Sequence, residues 1–288
     1  MDLRRLEVFV VLAEEGSFSR AAKRLGVTQP AVSLAIRALE EEMRVLLVDR
    51  KARRAVVTPG GETLLRYAQA LTRMAKEAQD AVRAEGARPS GHVHIGASSV
   101  PGNYVLPARL AAFRKKHAEI RVTVDITDSG DQIDRVRDRV VELAAVGMEV
   151  PDRRLEFHRF ADDEIVLVAP PPGVLDVPDR VSRADLGALP LLTREAGSAT
   201  RRIVEDSMSA ALPPPLVLGS LEAVKGAVCA GAGVAFLSRH AIGPEIARGE
   251  LRAIEIPGLV LRRSLFLVRL RDREPSPALR ALQRFLLG

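Results

Sequence analysis

The side chains able to make or break bonds are few and dispersed in this 288-residue chain. A nucleophile needs a base beside it, and a metal needs clustered ligands. The histidines His92, His94, His117, His158 and His240 are scattered, and Cys229 is the only cysteine. His92 and His94 alternate on an expected strand, which reads as strand decoration rather than metal ligation. Cys229 falls on an apolar helical face, where a small buried residue is expected, and it has no second cysteine to resolve an oxidised state. Asp162-Asp163-Glu164 reads as hinge decoration, and no phosphate-binding glycine loop occurs. The expectation is no enzyme, no catalytic residue, no metal and no cofactor.

Recognition chemistry is better represented. Gln29, Ser33 and Arg37 recur at i, i+4 and i+8, so a helix would align them on one face. An amide there can read base edges, a short hydroxyl can reach a base or phosphate, and a guanidinium can pair with guanine or phosphate. Downstream, Arg50, Lys51, Arg53 and Arg54 crowd one segment, where basic side chains would grip a phosphate backbone.

The elements that must position these groups follow from spacing. Leu3, Leu6, Val10 and Ala13, with Phe9, predict a first helix closed by Gly16. Ser17 caps a second, in which Ala21 and Ala22 allow close packing, and Leu25-Gly26 ends it. Thr28 caps a third, with Pro30 in its first turn, where a missing amide costs nothing. Val32, Ile36, Leu39 and Met43 are its buried stripe. Two helices across a tight glycine turn are the arrangement that lets the second enter a major groove; the alternative is an ordinary three-helix bundle whose polar stripe faces water. Leu46-Leu47-Val48 running into residues 49–58 reads as a short hairpin, or wing, with a basic tip.

Residues 21–33, from Ala21-Ala22-Lys23-Arg24-Leu25-Gly26-Val27 to Thr28-Gln29-Pro30-Ala31-Val32-Ser33, with Leu39-Glu40, Arg50 and Thr58-Pro59-Gly60-Gly61, resemble the winged helix-turn-helix of the LysR-type transcriptional regulators. Leu34 stands where that pattern has Arg, and Val48 where it has Phe. The resemblance implies double-stranded DNA as partner, met by Thr28, Gln29, Pro30, Ser33, Arg37, Arg50, Arg53 and Arg54.

Charge agrees with this once it is divided. The net +6 is split between residues 1–90, with 16 basic against 12 acidic side chains, and the remainder, with 27 against 25. The basic excess therefore sits at the N-terminal end.

Thr58-Pro59 opens a long helix, and Leu64, Ala68, Leu71, Ala75, Ala78 and Val82 form a seam of about three heptads. The seam reads as a dimerisation surface; the alternative is an amphipathic helix laid on its own domain. Its roughly 24 residues span about 36 Å. In the LysR-type resemblance such a helix pairs two chains, so that a homodimer, or a homotetramer, reads an interrupted inverted repeat.

Residues 86–91 read as a linker. Beyond them strands and helices alternate: strands at 93–97, 121–127, 143–146, 165–169, 189–193, 216–218, 234–237 and 265–270, with helices at 105–117, 131–141, 200–211, 222–232 and 276–287. Such alternation predicts a mainly parallel sheet with helices on both faces. The expected organisation is a winged helix-turn-helix (1–58), a linker helix (59–85), and an α/β effector-binding domain (92–288). This last has two doubly wound lobes like a periplasmic-binding-protein type II fold, lobe I at about 92–163 and 267–288, lobe II at about 164–266.

Ligands in such sheets sit beyond the carboxyl ends of strands. Ser98, Ser99, Ser129, Gly147, Thr193, Ser198 and Thr200 lie there. Hydroxyls and helix-start amides bind anions without added charge, although Ser, Thr and Gly at strand ends also serve as plain caps and turns. The resemblance makes them an effector site, which implies a small anionic or polar co-inducer. Residues 96–107 resemble members tied to sulfur or inorganic-anion metabolism, and 230–237 match the family's glycine-rich strand entry, with Ser238 where Pro is usual. RNA polymerase is a further partner in this resemblance. The absence of a long apolar run and of a leader pattern gives a cytoplasmic expectation with no membrane. A competing reading, a soluble solute-binding or catalytic α/β protein with an oligomerising head, expects ligand affinity without DNA affinity. In a third reading the DNA-binding head is real and the cleft is vestigial.

Overall fold

Side-chain caps fix the first three helices in the computed structural model, which describes residues 2–49, 55–83, 90–208 and 216–288. Asp2 accepts from the Arg4 amide at the start of α1 (Leu3–Glu15), Ser17 from Arg20 at α2 (Phe18–Leu25), and Thr28 from Ala31 at α3 (Gln29–Met43). Each satisfies an amide that the helix start leaves unpaired. Gly16 and Gly26 close the first two helices in the left-handed conformation, and Arg44 takes the same conformation after α3. The apolar stripes meet in one core of Leu6, Phe9, Leu12, Ala21, Val32, Ile36 and Leu39. The expected wing is an antiparallel pair, β1 (Val48–Asp49) and β2 (Val56–Val57), with Val48 opposite Val57.

Glu40 anchors the wing to α3. Its buried carboxylate accepts the amides of Leu47 at 3.0 Å and Val48 at 3.2 Å. Thr58 then starts α4 (Pro59–Arg83), accepting from the Gly61 amide and donating to the Leu46 carbonyl. A Cβ at Gly61 would stand 2.1 Å from the Leu47 carbonyl oxygen, so only glycine lets the helix start this close to the wing;.

The chain divides into two compact units, residues 1–88 and, leaving 138–140 aside, 89–288. The second begins with β3 (Gly91–Ser98), which passes through a π-helical turn at Pro101–Val105 into α5 (Leu106–Lys116). Then follow β4 (Ile120–Thr127), α6 (Ser129–Arg137) and β5 (Ala144–Val146); β3 pairs in parallel with both strands, completing lobe I. Lobe II holds β7 (Leu191–Arg194), α7 (Ala199–Ser207), β8 (Leu216–Leu218), α8 (Leu221–Cys229), β9 (Val234–Ser238) and α9 (Arg239–Ala247), with β7 parallel to β8 and β9.

Two long strands join the lobes. β6 (Leu155–Ala169) and β11 (Leu261–Leu270) run antiparallel through ten register pairs, broken by one bulge at Leu265/Phe266. β11 pairs with β5 on the lobe I side, and β6 with β9 on the lobe II side, giving the continuous order β4-β3-β5-β11-β6-β9-β7-β8. β10 (Arg252–Ile254) adds to β6, and α10 (Pro277–Leu287) packs back on β3 and β6. The lobe boundaries expected at 163/164 and 266/267 fall inside β6 and β11. Both strands belong to both lobes, which periodicity cannot show. The helix expected at 131–141 ends at Arg137.

Candidate functional site

In the N-terminal unit, Thr28, Gln29, Pro30 and Arg37 are exposed and Ser33 is half-buried, while Val32, Ile36, Leu39 and Glu40 face the core. The residues expected to read DNA thus share the outward side of α3. Arg50, Arg53 and Arg54 lie outside the described residues.

The residues of the expected seam on α4 do not share one exposed face. Leu64 and Ala68 pack into the core of their own unit, where α4 lies against α1. Tyr67, Leu71, Met74 and Ala78 are the exposed members, at spacings of four, three and four. Ala75 is half-buried, and the side chain of Val82 lies outside the described ones. The expected seam therefore mixes two faces, because α4 must cover its own domain before it can offer anything to a partner.

In the C-terminal unit, Ser98, Ser99, Ser129, Ser198 and Thr200 come together in a solvent-open cleft of about 250 Å³, with Val100, Asp128, Arg194, Ala199 and Arg263. Three helix starts converge there: the π-turn before α5, α6 at Ser129, and α7 capped by Ser198. Gly147 is a neighbour, its amide donating to Ser129 Oγ at 3.2 Å. Thr193 is not in this cleft. It lines an adjacent cavity under β7 with Leu191, Val204 and Phe236, because side chains alternate along a strand and Arg194 takes the cleft-facing position;. Gly197, with φ of +93°, brings its backbone against the Asp128 carboxylate, where a Cβ would sit 2.7 Å from Oδ1.

Two guanidiniums line this cleft. Arg194 is held by Glu195, at 2.7 Å from Nε, and donates to Ser99 Oγ at 3.3 Å. Arg263 pairs with Asp163 at 2.7 and 2.8 Å, across the register of β11 and β6. Its side chain is 5% exposed and that of Asp163 is fully buried. Burial pulls the Arg263 guanidinium below its ordinary value, Asp163 opposes that pull, and the nearby charge of Arg194 adds to it. Ser238, standing where a proline was the usual pattern, donates to Asp163 Oδ1 at 2.6 Å and caps α9.

The remaining candidates for chemistry are committed elsewhere. His92 Nε2 lies 2.8 Å from Thr123 Oγ1 and His94 Nε2 2.7 Å from Asp125 Oδ2, both across to β4. Burial, with Glu245 and Glu250 nearby, pushes the Cys229 thiol up, away from thiolate reactivity;. No group of three or more metal-ligating side chains occurs among the described residues, and none of their helices is long and apolar enough to cross a membrane.

Residues 3–62 match the family model of the bacterial regulatory helix-turn-helix protein, lysR family, and residues 86–288 that of the LysR substrate binding domain. The chain belongs to the LysR family of transcriptional regulators. Among its relatives, a probable RuBisCO transcriptional regulator of Nostoc sp. is 33% identical, covering 99% of this chain and 87% of the relative. The HTH-type transcriptional regulator CbbR of Xanthobacter flavus is 34% identical, covering 99% and 86%. The name of the first points to RuBisCO. Full-length CbnR complexed with its target DNA has the same fold, with a TM-score of 0.70 at 20% identity over 99% of both chains. The regulatory domain of Synechocystis CcmR, in complex with 2-PG, covers 69% of this chain and 96% of its own, with a TM-score of 0.63 at 24% identity.

For a LysR-type regulator, Arg194 and Arg263 are the residues that sequence reasoning missed. Arg194 was within reach, one residue past Thr193 on the same strand. Arg263 was not, because it sits near the start of an antiparallel strand, away from any carboxyl end.

Proposed function

We propose that this regulator reads promoter DNA with α3 and changes its hold on that DNA when a small anion occupies the cleft between the two lobes. The observation that carries the effector assignment is the meeting of Arg194 and Arg263 with three helix starts. Each guanidinium already has a carboxylate partner, and Asp128 adds another acid. Three carboxylates against two guanidiniums leave the surroundings slightly acidic, so amides and hydroxyls supply the attraction for a small anion. The hydroxyls of Ser98, Ser99, Ser129, Ser198 and Thr200 beside the two guanidiniums suit a small oxyanion;. The 2-PG complex of CcmR supports an anion of that size.

Gln29, Ser33 and Arg37 supply base and phosphate contacts, and Arg50, Arg53 and Arg54 add phosphate contacts. Two chains pair through the exposed stripe of α4, and the homodimer, or a tetramer of two such pairs, reads an inverted repeat. Given the relatives, promoter DNA ahead of RuBisCO genes is the first probe. Arg37→Ala is expected to weaken its binding about tenfold or more, and Arg53→Ala to weaken it evenly across sequences and flatten the salt dependence. Unchanged affinity in both variants would refute the contact assignment. For the effector, thermal melting with inorganic phosphate and with 2-PG is the direct test. Stabilisation that disappears in Arg194→Met is the expected result, and no stabilisation by either anion would overturn the anion reading.

A further inference from the structure

We propose that Leu34 reads the methyl group of a thymine in the major groove, making it a sequence-specifying residue of α3. This rests on the placement of α3 in the groove. Leu34 is 70% exposed, the highest value for a large apolar side chain among the described residues. It stands about half a turn around the helix from the stripe of Val32 and Ile36 that α3 buries;. It is therefore no frayed edge of the core. A leucine held in water here gives the fold nothing and can make neither a hydrogen bond nor an ion pair.

Its surroundings decide what it meets. Exposed Pro30 and Ala31 lie one turn before it, and Ser33 and Arg37 share the outward side, so Leu34 is the largest member of a small apolar spot rimmed by polar side chains. A protein partner would need a broader patch. In the major groove, by contrast, the apolar group on the base edges is the C5 methyl of thymine, and aliphatic side chains select it by contact. An arginine at this position would pair with guanine or any phosphate; leucine can do neither, so preference moves from guanine to thymine.

The test uses the full-length protein and a duplex that it selects from a random-sequence pool. Each thymine of the selected site is replaced in turn by deoxyuridine, which deletes the methyl alone. At one thymine per half-site, binding is expected to weaken about fourfold, the worth of one methylene removed from water. In Leu34→Ala that loss should disappear, with the slope of affinity against salt unchanged. Leu34→Met should retain part of it. The proposal is overturned if no deoxyuridine weakens binding, if the loss persists in Leu34→Ala, or if that variant changes the salt slope, which would mark a structural role. Failure to enrich any sequence would instead overturn the placement of α3.

Discussion

The Asp163–Arg263 pair shows how one residue can belong to the fold and to the site together. It lies on the register of the two strands that join the lobes, and Arg263 also floors the cleft. Removing one partner of a buried pair leaves the other charge uncompensated, which costs about 3–5 kcal/mol. Asp163→Asn is expected to lower unfolding free energy by about that amount in urea titrations. A loss within the range of an exposed ion pair would contradict the burial described here. Tyr104 offers a second measurement. Burial, then its hydrogen bond to Glu222, raises its phenol to about 12, with Lys225 opposing. Between the unfolded value near 10 and 12, the folded state keeps a proton that the unfolded state has lost. This stabilisation is complete below pH about 10 and disappears as the pH rises toward 12. With Tyr67→Phe leaving Tyr104 as the sole tyrosine, absorbance titration should give a midpoint near 12; one near 10 would refute the assignment.

At the scale of elements, α4 has two tasks that its sequence merges. Leu64 and Ala68 serve the helix-turn-helix core, and Tyr67, Leu71, Met74 and Ala78 form the outward stripe. A charge on the stripe should break self-association without unfolding the head. Met74→Glu is expected to shift the protein toward monomer in sedimentation, while Leu64→Ala should lower stability by about 2–5 kcal/mol with association retained. The reverse pattern would reinstate the heptad seam as first counted. The capped helices were legible because each has a local signal: Ser17 and Thr28 at the starts of α2 and α3, Gly16 and Gly26 at the ends of α1 and α2. The extents of β6 and β11 were not. Residues 155–164 and 261–264 carry charged side chains that pair across strands, such as Arg263 with Asp163, so the apolar alternation that marks a strand is interrupted there.

For the whole molecule, the two family models and the bilobed unit fit the order head, helix and effector domain. The cleft hydroxyls could be read from strand ends because parallel strands place their carboxyl ends on one side; its guanidiniums escaped because they depend on pairing between distant strands. Ligand binding has a global readout. An anion at 100 times its dissociation constant should stabilise the protein by about 2.7 kcal/mol, visible as a higher melting temperature; in Arg263→Met the shift should be lost along with part of the starting stability. The continuous sheet bears on something else. Because β6 and β11 are shared along their length, and one core cluster joins Val93 and Ile95 of β3 to Leu192 and Val224 across the lobes, neither lobe is a module that can be cut out, transplanted or exchanged between relatives. Effector preference in such a regulator must drift by point changes inside the cleft, and chimaeras will succeed only when cut between the units, near residue 90, ahead of the first strand of the shared sheet.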